Sequence, residues 1–199
     1  FLAPTCVVGV LAAVHATRYL HGEELRRAPW FWFYFAGTLL AMVGVVLSPN
    51  MLLFLLAWEA MGVFSSGLVG FESESKASRL ATWIYLLACH AGAVCLILAG
   101  VMAMRPEPCW PAVWYLALVG FGLKIGVPPF HVWLPEAHPA APAPASAVMS
   151  GAMIPLGFYG LLAFFVVGPM HLSVPATVLP HMGWSLLVLG SAAALGGIL

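Results

Sequence analysis

Three ionisable residues lie near the centres of long apolar runs: Glu59 in FLLAWEAMGVF, His90 in YLLACHAGAV and Lys124 in GFGLKIGVPPF. A carboxylate, an imidazole and an amine can each take up and release a proton. A charged side chain at mid-depth in a membrane costs at least about 2.5–3.5 kcal/mol, so such residues usually serve a function. Together the three residues predict an internal polar chain that carries protons.

Each of these residues also has a purely structural interpretation. Glu59 could occupy a pocket in which its polar atoms are satisfied, and His90 could form a hydrogen bond between two helices. Lys124 could extend its amine to the membrane surface if its helix ends at Pro128. The apolar FHVWL after the prolines argues against this last interpretation, because it predicts that the span resumes.

A helix break is predicted beside Lys124, because Pro128 and Pro129 follow within five residues. Proline lacks an amide hydrogen, and its ring clashes with the preceding helical turn. Helical hydrogen bonding should therefore be lost between about Ile125 and Pro129, and FHVWL should begin a second half-helix. Unwound backbone in a membrane persists only where it is buried in protein or faces water. Broken helices with ionisable residues at the break form the ion sites of many transporters.

Glu59 and Lys124 are expected to approach each other near mid-membrane, because an unpaired charge is costly there. The attraction between opposite charges about 4 Å apart is worth roughly 4 kcal/mol at an effective dielectric constant of about 20. Desolvation of the amine and attraction by the carboxylate would then compete, which would let Lys124 release and recapture a proton. His131, Glu136 and His138 follow the break and could extend the relay, since histidine titrates near physiological pH.

The composition predicts a protein whose surface meets lipid. Of 199 residues, 63% are hydrophobic and 7% are charged, and the formal net charge is +0. A soluble domain has about 25% charged residues, so the chain is predicted to be a membrane protein. The absence of a basic or acidic tail argues against a nucleic-acid partner. The scattered cysteines form no CxxC pair that would indicate a metal or redox centre.

The chain divides into about seven apolar segments, most of them close to the roughly 20 residues that cross about 30 Å of hydrocarbon. They should be α-helices, because lipid offers the backbone groups of a lone span no other partner. The predicted segments are residues 1–18, 30–48, 50–71, 79–104, 110–138 (interrupted), 142–167 and 181–199. The expected fold is an all-α polytopic transmembrane helix bundle that forms a single domain over residues 1–199.

The basic residues of the connectors predict an orientation. With connectors assigned to alternating sides, one side receives Arg18, Arg26, Arg27, Lys76 and Arg79, and the other receives Arg105. Because lysine and arginine accumulate in cytoplasmic loops, the connectors after the first and third segments are predicted to be cytoplasmic. The opening FLAPTC has no charged region, which argues against a signal peptide. Its position within an apolar run predicts that the chain is a piece of a longer one.

Several stretches resemble the antiporter-like proton-translocating subunits of respiratory complex I, Mrp-type antiporters and group 4 membrane-bound hydrogenases. They are WEAMG, YLLACHAG, GFGLKIGVPPFHVWLPEAHPAAPAPASAVMSGAMI and LGFYGLL. The resemblance covers essentially the whole chain and is greatest to the large membrane subunit of formate hydrogenlyase-type hydrogenases. It implies a fold with two inverted five-helix repeats. Residues 30–167 would form the first repeat, 1–18 a leading helix and 181–199 the first helix of a second repeat.

The resemblance implies that Glu59 matches the family's essential glutamate and Lys124 the lysine of its broken helix. The implied function is a proton-translocating subunit of a redox-driven respiratory or hydrogenase complex in a bacterial or archaeal cytoplasmic membrane. No stretch is typical of a flavin, iron–sulfur or nickel site, so no cofactor is expected. Redox chemistry would then belong to partner subunits, both membrane-bound and peripheral.

The main departure from the family is Pro155, in SGAMIPLGFYG, where the resemblance implies a second central lysine. Pro155 should kink the helix and leave the carbonyl of Gly151 without its helical partner. Water or Ser150 would then bind that carbonyl, and His90 or His131 would be the titratable neighbour of the kink. Alternatively, the proline marks sequence drift or a copy that has lost conduction.

Three alternative functions remain open at this stage. A non-conducting scaffold subunit is compatible with Pro155 and with a chain that contains only one half-channel. A sodium/proton antiporter subunit would transport sodium instead of, or together with, protons. An intramembrane metalloenzyme would need His131, Glu136 and His138 as ligands, but the sequence has no HExxH motif and this spacing suits zinc poorly.

Overall fold

The computed structural model describes residues 1–20, 23–71, 75–166, 172 and 174–196, and the regular structure in these residues is helical. The helices are α1 (Leu2–Tyr19), α2 (Glu23–Leu47), α3 (Met51–Val69), α4 (Lys76–Ala103), α5 (Trp110–Ile125), α6 (Leu134–Ala140), α7 (Ala143–Val148), a π-helix (Met149–Met153), α8 (Ile154–Phe165), a 3-10 helix (Ala176–Val178) and α9 (Leu179–Gly196). By length and composition, 6 helical stretches among these residues can cross a membrane, and α5 is a shorter apolar helix. The predicted all-α membrane bundle is thus confirmed.

Two helices begin earlier than their apolar runs predicted. Helix α2 begins at Glu23 rather than at residue 30, because the intervening EELRRA consists of strong helix formers. Helix α4 begins at Lys76 rather than at residue 79, because Ser75 caps it: the Ser75 hydroxyl accepts a hydrogen bond of 2.9 Å from the amide of Ser78. Apolarity indicates where a segment crosses lipid, whereas helix propensity and capping decide where the helix begins.

Helix α4 is central to the packing around Lys124. It packs against α3 on one side and against α5 and α6 on others, while α8 packs against α5. Glycines allow α4 and α5 to approach closely. A Cβ added at Gly92 would lie 2.9 Å from the carbonyl oxygen of Gly120, and one added at Gly120 would lie 2.8 Å from that of Gly92. Small residues at a helix contact let two backbones meet in this way.

The fifth span is interrupted beside Lys124. Helix α5 ends at Ile125, and Gly126, with φ of 76°, caps it by donating its amide to the carbonyl of Gly122 at 2.8 Å. The chain then makes tight turns, with hydrogen bonds from Phe130 to Val127 at 2.6 Å and from Leu134 to His131 at 2.9 Å. The second half-helix, α6, begins only at Leu134, so the prediction that FHVWL already forms helix was wrong. These two turns occupy the residues between the two half-helices.

The sixth span contains a second irregularity, just before Pro155. Helices α7 and α8 are joined by the π-helix Met149–Met153, in which the amide of Ile154 donates to the carbonyl of Met149. π-Helical turns inside α-helices are often found at functional sites. The wider turn lies where the sequence predicted a kink, and it directs Met153 into the buried interior, where that residue is 0% exposed.

Candidate proton-exchange site

Lys124 is buried near the C-terminal end of α5, with 3% of its surface exposed. Its Nζ donates to Tyr85 Oη at 3.2 Å and to Cys89 Sγ at 3.3 Å, and both partners lie on α4. The amine also lies 5.2 Å from the centre of the Tyr85 ring and 6.0 Å from that of Trp58. Among the side chains that the structure describes, no carboxylate comes within 4.0 Å of it. A hydroxyl, a thiol and aromatic rings thus surround this lysine.

The expected direct contact between Glu59 and Lys124 is not formed. Glu59 Oε2 instead lies 2.8 Å from His90 Nδ1, and these side chains are 34% and 46% exposed. The reason is the direction of Glu59 on α3. It shares the exposed face of that helix with Leu56 and Val63, whereas Trp58 is 3% exposed and faces Lys124. Residues one position apart on a helix point in directions about 100° apart.

The two groups nevertheless lie on adjoining surfaces of the same helices. On α4, Cys89 contacts Lys124 and the next residue, His90, contacts Glu59. On α3, a Cβ added at Gly62 would lie 3.9 Å from Lys124 Nζ and 3.1 Å from the Cβ of Cys89. Glycine at position 62 therefore leaves room for the amine beside α3, less than one turn from Glu59.

Tyr85 joins four elements around the lysine. Its hydroxyl lies 2.7 Å from Ser65 Oγ on α3 and 3.2 Å from Met153 Sδ in the π-helix, besides accepting from Lys124. Its ring packs 5.0 Å from that of Trp133, in the turn before α6. Both Tyr85 and Ser65 are 0% exposed. A phenol held in this way can accept from the amine while it donates to a second group.

Sequence reasoning missed Tyr85, Ser65 and Cys89. These residues carry no formal charge, so they do not stand out in apolar helices. A weak signal was present in their spacing, since Tyr85 and Cys89 are four residues apart and share a helix face. Their pairing with Lys124 depends on how α3, α4 and α5 pack, and that is not a local property of the sequence.

The residues predicted after the break are placed differently from one another. His138 Nδ1 lies 2.7 Å from Ser146 Oγ, and its ring stacks on Trp133 at 6.3 Å. Trp133, which is 1% exposed, donates its indole N–H to the carbonyl of Leu123 and packs on Tyr85, so His138 adjoins the lysine site through this ring. His131 and Glu136 are exposed. Across the described residues, no three His, Cys, Asp or Glu side chains are grouped so that they could hold a metal ion.

Pro155 lies beside a cavity of about 210 Å³ that α1 helps to line, with Thr5 among the lining residues. Neither His90 nor His131 is among the residues that line this cavity, so the titratable neighbour of the kink stays a prediction. Ser150 donates to the carbonyl of Ser146 at 3.0 Å rather than to that of Gly151. The π-helix changes the local hydrogen-bond register, and α1 covers this side of the span.

Comparison with known proteins is consistent with this arrangement. Residues 103–198 match the family model described as NADH:quinone oxidoreductase/Mrp antiporter, TM. Hydrogenase-4 component B of Escherichia coli is 32% identical over 207 residues, which is 96% of this chain and 30% of that protein. NAD(P)H-quinone oxidoreductase chain 4 1 of Synechococcus sp. is 32% identical over 208 residues, which is 96% of this chain and 38% of that protein. Formate hydrogenlyase subunit 3 of Escherichia coli is 32% identical over 137 residues, which is 64% of this chain and 22% of that protein.

The chain spans 30% of the length of Hydrogenase-4 component B and 38% of that of the Synechococcus chain, or about a third of each. Within that part it has several helices able to cross a membrane, with an interrupted helix and a buried lysine between them. The chain is part of a multi-pass membrane protein, and it belongs to the antiporter-like family of membrane subunits found in complex I, Mrp antiporters and membrane-bound hydrogenases.

Proposed function

We propose that this chain is part of a proton-translocating subunit of a redox-driven respiratory or hydrogenase complex, with Lys124 as its central proton carrier. The observation that carries the proposal is the burial of this amine, at 3% exposure, against only a phenol and a thiol. A lysine kept for stability is expected to pair with a carboxylate or to reach water, because a lone buried charge is strongly unfavourable. An amine without such a partner is suited to changing its protonation state.

Tyr85 and Ser65 supply the first steps of exchange with the lysine. When Lys124 is protonated, it donates an N–H to Tyr85 Oη, which can in turn donate to Ser65 Oγ at 2.7 Å. A proton that moves from nitrogen to oxygen is matched by one that leaves the same oxygen, so the phenol stays neutral overall. Hydroxyl groups can act as donor and acceptor at once, which permits this exchange.

Glu59 on α3 and His90 on α4 form a second proton-exchanging pair beside the lysine site. The carboxylate and the imidazole are 2.8 Å apart, so one proton can be shared between them. On the same helix, Cys89 contacts Lys124, and the next residue, His90, contacts Glu59. The two pairs therefore lie on neighbouring faces of α4. We propose that water or side-chain movement connects the two pairs. Glu59 would then exchange protons with Lys124 indirectly and not through direct contact.

The wider proposals rest on family membership and on the sequence. The names of two relatives describe them as a component of a hydrogenase and a chain of a quinone oxidoreductase. By analogy, we propose that partner subunits carry the redox centres and supply the driving force. The concentration of basic residues in the connectors after α1 and α3 favours a cytoplasmic position for both. Residues 30–167 are proposed as the first repeat of the larger subunit.

A non-conducting scaffold is the second candidate, and Pro155 favours it because this position has no titratable side chain. The deciding experiment measures proton flux in liposomes that contain the full-length subunit within its complex. Lys124→Ala should lower flux at least about tenfold, equivalent to about 1.4 kcal/mol in the barrier. Lys76→Ala, at the exposed start of α4, is the matched control and should leave flux near its original value.

Unchanged flux in Lys124→Ala, with the complex still assembled, would contradict the proposed function and favour the scaffold. The same measurement in sodium-free and sodium-containing buffer separates the proton carrier from a sodium/proton antiporter. A flux that needs sodium on the opposite side of the membrane would replace the proton-only interpretation.

A further inference from the structure

A cavity of about 420 Å³ lies between the first turns of α4 and helix α6. Ser78 and Ala81 line it from α4, Ser75 lines it from the N-cap of that helix, and Glu136 and Pro139 line it from α6. Its volume is many times the roughly 30 Å³ that one water molecule occupies in the liquid. Glu136 is exposed, so the cavity reaches the outside of the described chain.

The wall of this cavity contains an unpartnered buried hydroxyl. Ser78 is 8% exposed, and its Oγ is the one buried side-chain polar atom in the described residues that has no hydrogen-bond partner. The backbone of Ser78 is fully engaged, because its amide donates to Ser75 Oγ and its carbonyl accepts from Thr82 Oγ1, both at 2.9 Å. An unsatisfied buried hydroxyl costs about 1–3 kcal/mol. Its position in the wall of a cavity that Ser75 and Glu136 also line therefore indicates that it binds water.

The hydroxyl of Ser78 also lies on the helix face that leads to the lysine. Tyr85 follows Ser78 by seven residues, which places it on the same face of α4 and about 10.5 Å farther along the helix. Ala81, which is 2% exposed, lies between them and leaves only a methyl group on this line. Tyr85 then contacts Lys124 directly. The face thus runs from the cavity to the buried amine.

We propose that this cavity is the aqueous port through which hydrated protons reach Lys124. The inference rests on the proposed function and adds the access route to it. The carboxylate of Glu136 lies at the mouth, where a negative charge raises the local concentration of cations. Water at the Ser78 hydroxyl accepts a proton from the cavity, and further water molecules along this face of α4 carry a proton over the remaining distance to Tyr85. Each oxygen on the route accepts one proton and releases another, and the Lys124 amine gains the final N–H bond.

Accessibility provides a test that does not depend on transport. Ser78→Cys and Leu80→Cys place a thiol at nearly the same depth on opposite sides of α4, at positions that are 8% and 59% exposed. In the full-length protein in oriented vesicles, a membrane-impermeant trimethylammonium thiosulfonate should label Ser78→Cys from one side only. Leu80→Cys should remain unlabelled, because lipid excludes the charged reagent. The unsubstituted protein, with its native free cysteines, is the blank. Equal labelling at both positions, or none at position 78, would overturn the port.

Flux measurements then distinguish a failed port from a failed function. Ser78→Val should lower proton flux about tenfold, and Ser78→Thr, which keeps a hydroxyl, should restore most of it. Ser48→Val is the control, since the Ser48 hydroxyl donates to the carbonyl of Gly44 in its own helix. If Lys124→Ala abolishes flux and Ser78→Val leaves it unchanged, the port is wrong and the proposed function stands. If Lys124→Ala changes nothing, the proposed function fails, and the labelling result alone decides whether the cavity is aqueous.

Discussion

At the scale of single residues, the notable property of Lys124 is the chemical neutrality of its partners. Tyr85 Oη and Cys89 Sγ accept two of its hydrogen bonds without contributing a formal charge. A carboxylate in contact would hold the proton on the amine strongly, because opposite charges attract most where the dielectric is low. Hydrogen bonds to a phenol and a thiol position the amine and leave it freer to exchange its proton.

Tyr85→Phe tests whether the phenol takes part in that exchange. The substitution keeps the ring against Trp133 and removes the oxygen that joins Lys124, Ser65 and Met153. Proton flux is expected to fall by about fivefold or more, and the lost hydrogen bonds should lower stability by about 1–3 kcal/mol. Flux in liposomes and thermal unfolding in detergent are measured together.

The control is Tyr159→Phe, whose hydroxyl donates to the carbonyl of Val46 at 2.9 Å, away from the lysine. It should lower stability by a similar amount and leave flux nearly unchanged. A parallel loss of flux in both variants would mean that Tyr85 acts only through stability.

At the scale of elements, the predictable features were those that depend on nearby residues. The apolar runs predicted the spans, and Pro128 and Pro129 predicted the end of α5 after Lys124. The partner of Lys124 was not predictable in the same way. It depends on the close contact of α4 with α5 at Gly92 and Gly120, which is a property of two segments that are distant in sequence. The start of α6 at Leu134 likewise depends on turns whose hydrogen bonds no local motif indicates.

Pro155 tests whether the sixth span takes part in conduction. Its π-helix brings Met153 to the Tyr85 hydroxyl at 3.2 Å, and the cavity beside Pro155, of about 210 Å³, can accept a longer side chain. Pro155→Lys is therefore expected to preserve or raise proton flux, because it adds a titratable group to the span whose Met153 contacts Tyr85. Pro155→Ala separates this effect from the simple removal of the proline ring, and it should not raise flux.

His90→Ala belongs to the same test, because His90 is the partner of Glu59. Its flux should fall, since the carboxylate loses the group with which it shares a proton. Flux that is unchanged in His90→Ala and arises only with Pro155→Lys would identify the natural protein as a scaffold.

At the scale of the whole molecule, the position of the Glu59–His90 pair is the informative feature. Both side chains are partly exposed, at 34% and 46%, on a surface that otherwise consists of apolar residues such as Leu56 and Leu87. Lipid in contact with a charged group near the middle of a span costs at least about 2.5–3.5 kcal/mol. Hydrogenase-4 component B and the Synechococcus chain are about three times as long as this chain, so in those proteins further protein can cover the corresponding surface.

We therefore expect protein, and not lipid, to cover the Glu59–His90 surface in the assembled complex. A photoreactive benzoylphenylalanine at Leu87, which is 62% exposed on α4 beside His90, should give cross-linked peptides that mass spectrometry can identify. The same group at Leu40, which is 72% exposed on α2, serves as the comparison and should react mainly with lipid. Lipid adducts alone at position 87 would contradict this expectation, because the polar Glu59–His90 pair would then lie against hydrocarbon. Peptides cross-linked at position 87 would identify the segment that lies over the pair and supplies its polar surroundings.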